Sequence, residues 1–174
     1  MRISRAPGRP ALGIAAGGRK RAHIIVNPRI LAIDFGTKRM GLAVSDALGM
    51  TAQGLPTRQR TRIADDLEHL RALVEEYAVG KVLVGNPVGH RGGETAMSQQ
   101  VAEFAEKLRR RLPCPVELRD ERLTSVEANR TLREAGLSIG KRQRAVDRLA
   151  AVLLLQGYLD YLENERQRGS EPKE

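Results

Sequence analysis

The chain has 174 residues, a size that suits one domain with a core needing no disulfide or structural metal. Cys114 is its only cysteine, which excludes a disulfide framework and a Cys-based metal site. No apolar run reaches the roughly 18 residues of a membrane span, so a cytoplasmic protein without membrane partners is expected.

The formal net charge of +9 is unevenly placed. Residues 1–29 hold seven Lys/Arg and no acid, leaving 23 basic against 21 acidic residues from Ile30 onward. Residues 1–28 therefore read as a basic, disordered Gly/Pro/Arg-rich extension. Such a tail can add sequence-independent affinity for phosphate backbones, and it can equally be inert.

From Arg29 the pattern becomes regular. Ile30 to Phe35 and Met40 to Ser45 read as two apolar strands joined by a tight turn at Gly36, and a weaker strand follows near Met50 to Thr57. Residues Arg62 to Tyr77 place Ile63, Leu67, Leu70, Val74 and Tyr77 on one helical face. Lys81 to Gly85 is a short continuous apolar strand of the kind covered on both sides. A loop from Asn86 to Gly93 leads to a helix with Met97, Val101, Phe104 and Leu108 on its apolar face.

Val116 to Asp120 reads as the fifth strand. Thr124-Ser125-Val126-Glu127 fits a capping box for a helix starting just after Glu121. Residues 136–141 read as a mobile connection, a last helix covers about Arg144 to Glu163, and residues 164–174 form a polar tail. The expected domain thus spans residues 29–163. Its fold class is α/β: a mixed five-stranded sheet, with a three-strand meander and then alternating strands and helices, flanked by helices.

Three acids stand out. Asp34 interrupts an apolar strand, where a charge costs several kcal/mol unless it is paired or binds a metal. Glu121 closes a strand that ends in charge, and Asp147 falls in the first turn of the last helix. Acids at the margins of three separate apolar elements suggest one shared cluster. Each also has a plainer reading. Asp34 can accept turn amides from Gly36 and Thr37, and Asp147 can answer the helix dipole. Asp120 competes with Glu121, but strand alternation sends the two to opposite faces.

Four motifs in order, Ile33-Asp34-Phe35-Gly36-Thr37-Lys38-Arg39-Met40-Gly41, Val84-Gly85-Asn86-Pro87, Asp120-Glu121-Arg122-Leu123-Thr124-Ser125 and Val146-Asp147-Arg148-Leu149-Ala150-Ala151, resemble the bacterial YqgF/RuvX family. The family is described as Holliday junction resolvases and pre-16S rRNA nucleases of ribonuclease H-like fold. The likeness spans about residues 29–162. It implies a metal-dependent endonuclease that trims the 5′ end of pre-16S rRNA in ribosome biogenesis, with ribosomal particles as possible surroundings. Carried over by position, Asp34, Glu121 and Asp147 are its catalytic and metal-binding acids. The loop after Gly85 departs from the family pattern, with Asn86 where leucine is usual.

Three clustered carboxylates repel unless a cation joins them. The resemblance implies Mg²⁺ or Mn²⁺, as a pair of ions, with Asp34 as the bridging ligand and Glu121 and Asp147 on either side. Lys141, Arg142, Arg144 and Arg148 surround the start of the last helix and would form a phosphate-binding rim. Lys38, Arg39 and Arg122 are further candidate nucleic-acid contacts; the first two also fit a solvated turn, and Arg122 also fits a brace for the Glu121 carboxylate. His90 reads as a solvated loop histidine. Aromatics are 3% of the chain, so stacking platforms for bases are not evident.

Other functions compete. A four-way DNA junction cutter would share the chemistry but needs two symmetric sites, hence a homodimer, whereas a single RNA cut suits a monomer. A non-catalytic nucleic-acid-binding assembly factor could keep the fold, although clustered acids facing phosphates serve no pure binder. Asp34-Phe35-Gly36-Thr37 also resembles the phosphate hairpin of the actin and sugar-kinase superfamily, whose members close two such domains over ATP; this chain supplies one.

Overall fold

The computed structural model describes residues 28–87, 95–120 and 139–170, without the side chains of Asp120, residues 139–143 and Ser170. Five strands form one sheet in the order β3-β2-β1-β4-β5. They are β1 (Arg29–Phe35), β2 (Arg39–Ser45), β3 (Ala52–Gln59), β4 (Val79–Asn86) and β5 (Val116–Asp120). β1 pairs antiparallel with β2, and β2 with β3, while β4 runs parallel to both β1 and β5. The helices are α1 (Ile63–Glu76), α2 (Ala96–Arg111) and α3 (Ile139–Ser170). This is the mixed α/β sheet expected from the strand and helix periodicities.

Each face of the sheet buries its own core. On one, Leu31, Ile33, Met40, Leu42, Val82 and Val84 pack with Leu70 and Val74 of α1 and with Val101, Phe104 and Leu108 of α2. On the other, Ile30, Ala32, Ala43 and Leu83 meet Ala151, Leu154, Leu155, Tyr158 and Leu159 of α3. Because side chains alternate along a strand, Asp34 shares the α3 face with Ile30 and Ala32. Ala32, Gly41 and Ala43 on that face are small, which lets α3 lie close.

Several boundaries differ from the sequence reading for local reasons. β3 begins at Ala52 because Asp46 organises the turn before it: its Oδ1 accepts the amides of Met50 and Thr51 at 2.7 and 3.2 Å. Ile63 does not join the core face of α1; it is exposed, and the buried position in that first turn belongs to Asp66. Helix α2 starts on a capping box in which the Thr95 and Ser98 side chains each accept the other's backbone amide, at 3.0 Å (Ser98 N) and 2.7 Å (Thr95 N).

α3 is longer than expected at both ends. Residues 139–141, assigned to a connection, are helical, and the helix runs on through Ser170. Lys, Arg, Gln and Glu are good helix formers, so a polar stretch need not end a helix. Glu163–Arg166 and Glu165–Arg168 pairs at helical spacing support the far end. The expected capping box at Thr124 lies outside the described residues. Among the described residues no helix is long and apolar enough to cross a membrane.

Candidate active site

The site is built at the turn joining β1 to β2. In the ladder Asp34 lies opposite Gly41, and Ile33 opposite Leu42. Gly41 has no side chain for a specific reason: a Cβ there would lie 1.8 Å from the Asp147 carbonyl oxygen. The backbone of α3 thus passes over β2 at Gly41, one strand away from Asp34, and Asp147 joins Asp34 on one face of the sheet. Gly54 does the same on the edge strand, where a Cβ would meet the Arg148 stem at 2.7 Å.

Hydrogen bonds fix this crossing along β3. Thr57 Oγ1 donates to the Arg144 carbonyl at 2.9 Å. The amide of Ala52 donates to Gln156 Oε1 at 3.0 Å, and Gln156 Nε2 donates to the Met50 carbonyl at 3.2 Å. At the other edge of the sheet, Lys81 Nζ donates to Glu117 Oε2 (3.0 Å) and to Tyr158 Oη (2.9 Å). The Arg119 guanidinium lies over the Tyr158 and Tyr161 rings at 5.1 and 4.8 Å. Positions 117 and 119 of β5 therefore face α3, the same side as Asp34.

Asp147 is not in the first turn of its helix. α3 begins at Ile139, two turns earlier, so the helix dipole does not account for this carboxylate. Its counter-charge is Arg39, whose Nε donates to Asp147 Oδ2 at 2.7 Å. Both side chains are about one-fifth exposed, at 21% and 22%. Gly36, Thr37, Lys38, Arg39, Met97 and Asp147 line an open cleft of ≈ 480 Å³. The turn and the start of β2 give four of these residues and the helices two, and the wall is polar at Lys38, Arg39 and Asp147.

A sequence profile described as RuvX, Holliday junction resolvase, matches residues 28–161. The chain belongs to the RuvX family. A relative from Koribacter versatilis, named "Putative pre-16S rRNA nuclease", is 50% identical over 135 residues, covering 78% of this chain and 88% of that protein. One of the same name from Heliobacterium modesticaldum is 46% identical over 132 residues, covering 76% and 89%.

Among solved structures, the Thermus thermophilus RuvC complex with a Holliday junction substrate has a TM-score of 0.50 at 12% identity, covering 78% of this chain and 96% of that one. The fowlpox virus resolvase with junction DNA also gives 0.50, at 11% identity, covering 77% and 98%. At such identities the likeness concerns the fold, which is the ribonuclease H-like arrangement of the resolvases.

In this RuvX-family chain the expected site residues divide three ways. Asp147, Arg39 and Lys38 line the cleft at the β1–β2 turn, and Asp34 lies on the same sheet face, opposite Gly41. Arg144 is exposed on α3, its carbonyl accepting from Thr57 of β3, and Arg148 crosses Gly54 and is exposed. Glu121, Arg122 and His90, and the side chains of Lys141 and Arg142, lie outside the described residues. Asp120 is the last residue of β5, in register with Asn86.

Carboxylate oxygens are the hard donors that Mg²⁺ and Mn²⁺ take, so Asp34 and Asp147 suit such an ion in kind. Among the described residues no group of three His, Cys, Asp or Glu could hold a metal ion. The third expected acid, Glu121, lies outside the described residues.

The sequence reading did not foresee two contacts of this turn. Arg39, expected at phosphate, is also tied to Asp147; the only signal was the pair's presence in two separate family motifs. Asp66 was not singled out at all. It sits at 0% exposure beneath the same turn, and the cluster Arg58, Arg60, Thr61 and Asp66 was its trace in the sequence.

Proposed function

We propose that this protein is a metal-dependent endonuclease that hydrolyses a phosphodiester bond in RNA, maturing the 5′ end of pre-16S rRNA in the cytoplasm. The observation that carries the reading is that α3 crosses Gly41, the ladder partner of Asp34, at Asp147, on the sheet face that Asp34 shares. A pair of acids at a basic-rimmed cleft suits hydrolysis of an anionic backbone far better than simple binding. The names borne by the relatives from K. versatilis and H. modesticaldum support pre-rRNA as the substrate.

Asp34, Asp147 and Glu121 would hold Mg²⁺ or Mn²⁺, as a pair of ions. Glu121 is the next residue in the sequence after β5, whose Glu117 and Arg119 face α3. Bound there, the ions supply an activated water and neutralise charge on the phosphate. The chain's own part is to orient and neutralise. Arg39 holds the Asp147 carboxylate in one direction, while Lys38 is exposed at the cleft and Arg144 and Arg148 lie beside it to receive flanking phosphates. Among the described residues lining the cleft none is aromatic, which favours recognition by backbone and shape.

Cleavage of a labelled rRNA-precursor 5′ leader and of a synthetic four-way DNA junction tests this, each with Mg²⁺, Mn²⁺ or EDTA. Metal-dependent cutting of the leader, lost in Asp34→Asn with folding retained, is the expected result. Cutting of the junction instead would assign the junction-resolving activity of the family description. Binding of either without any cutting would leave an assembly factor that keeps the fold.

A further inference from the structure

The fully buried Asp66 is an unusual occupant for the first turn of a surface helix. A buried carboxylate is costly, and an apolar residue of similar volume would often serve stability as well. It is met by the Thr61 amide, the Thr61 hydroxyl and Arg58 Nε, each at 3.3 Å. Arg60 completes the charge balance with its Nε at 3.9 Å, beyond hydrogen-bond reach. That Nε is buried and has no hydrogen-bond partner. The guanidinium has not been aimed at Asp66.

It is aimed at the turn between β1 and β2. Arg60 Nη1 donates to the carbonyls of Gly36 at 2.9 Å and Thr37 at 3.3 Å. Its guanidinium lies over the Phe35 ring, 4.1 Å from the centroid, and its amide donates to the Lys38 carbonyl at 3.0 Å. One residue therefore ties four successive residues, Phe35 to Lys38. The same turn, closed by the Gly36 amide on the Arg39 carbonyl at 2.9 Å, forms the wall of the cleft and carries Arg39 to Asp147.

We infer that Arg60, seated against Asp66, is a positioning residue that fixes the Gly36–Arg39 turn from behind and so sets the direction of Arg39 and Asp147. The inference rests on the nuclease reading only for its effect on catalysis. An arginine is needed because one planar group stacks on Phe35 and donates to two carbonyls at once; a lysine keeps the charge toward Asp66 but presents a single point. The Arg60→Lys variant thus separates geometry from charge.

The test is hydrogen exchange of the turn, followed in Arg60→Lys and Asp66→Asn beside the unaltered protein, with cleavage kinetics on whichever substrate the unaltered protein cuts. In Arg60→Lys, exchange at residues 36–39 rises about tenfold while the core of β4 and α2 keeps its protection. The catalytic rate falls about tenfold with little change in KM. Asp66→Asn loosens the same turn together with a lower global stability. Unchanged exchange at the turn overturns the inference, as does a loosened turn with an unaltered catalytic rate. A uniform rise across the whole fold also overturns it, because Arg60 would then be merely structural. Should the unaltered protein cut neither substrate, the nuclease reading falls, and the exchange comparison on the free protein still decides whether Arg60 fixes the turn.

Discussion

Arg39 Nε bonds Asp147 Oδ2 at 2.7 Å across 108 residues of sequence, joining the first residue of β2 to the third turn of α3. Substituting Arg39 by alanine leaves the half-buried carboxylate without this donor. The expected stability loss, read by urea unfolding, is about 1–2 kcal/mol. Cleavage should suffer more, falling by about tenfold or beyond, since Asp147 would no longer be held in one direction. A variant that loses stability but keeps its full rate would show the pair to be only a brace.

Gly41 and Gly157 make opposite predictions. At Gly41 an added Cβ would meet backbone at 1.8 Å, with the sheet on one side and α3 on the other, so neither can yield cheaply. Gly41→Ala should destabilise by about 3 kcal/mol and displace Asp147, abolishing cleavage. Gly157 lies in the exposed interior of α3 with nothing within 4 Å of its would-be Cβ. Gly157→Ala should stabilise by about 0.5–1 kcal/mol with activity intact. Thermal unfolding of the two variants side by side checks both signs.

Glu68 links α1 to α2, with Arg71 at 2.8 Å on its own helix and Arg111 at 2.8 Å on the other. Hydrogen bonding from Arg71, then from Arg111, holds the carboxyl down to about 2 from an ordinary 4.5. A depressed folded-state value means that the contribution to stability is present above about 4.5 and is lost as pH falls toward about 2. Glu68→Gln should therefore be less stable than the parent at neutral pH and should converge with it on acidification through that window. The group is exposed, so the difference should also shrink with added salt. Unfolding midpoints across a pH series at two ionic strengths would show it.

The basic segment before Pro28 gives a prediction in salt. Removal of residues 1–27, which carry six of the chain's Lys/Arg, should weaken binding to the RNA leader and flatten the slope of log affinity against log salt. Cleavage at saturating substrate should be unchanged, because none of the expected acids lies in this segment. An identical slope with and without the segment would make it a bystander.

Much of this molecule is legible in its sequence because single elements carry their own signal. The unbroken apolar run of β4 and the repeating Val101, Phe104 and Leu108 of α2 state which surfaces are buried, since burial follows side-chain chemistry and a fixed period. Asp34 shows itself for the converse reason, as a charge where that period demands an apolar residue. The four motifs that resemble the RuvX family likewise lie within short stretches of chain.

What tertiary structure decided are the relations between elements. That Asp147 answers to Arg39 rather than to a helix dipole depends on where α3 begins, and the polar Lys, Arg and Gln residues before Arg144 permit a helix as readily as a loop. That Gly41 admits the α3 backbone, and that Asp66 is buried under the turn it helps to hold, depends on which surfaces meet. A glycine or an aspartate looks the same in sequence whether solvent or another backbone lies against it. Only the packed structure says which, because close approach is a property of two segments and is encoded in neither alone.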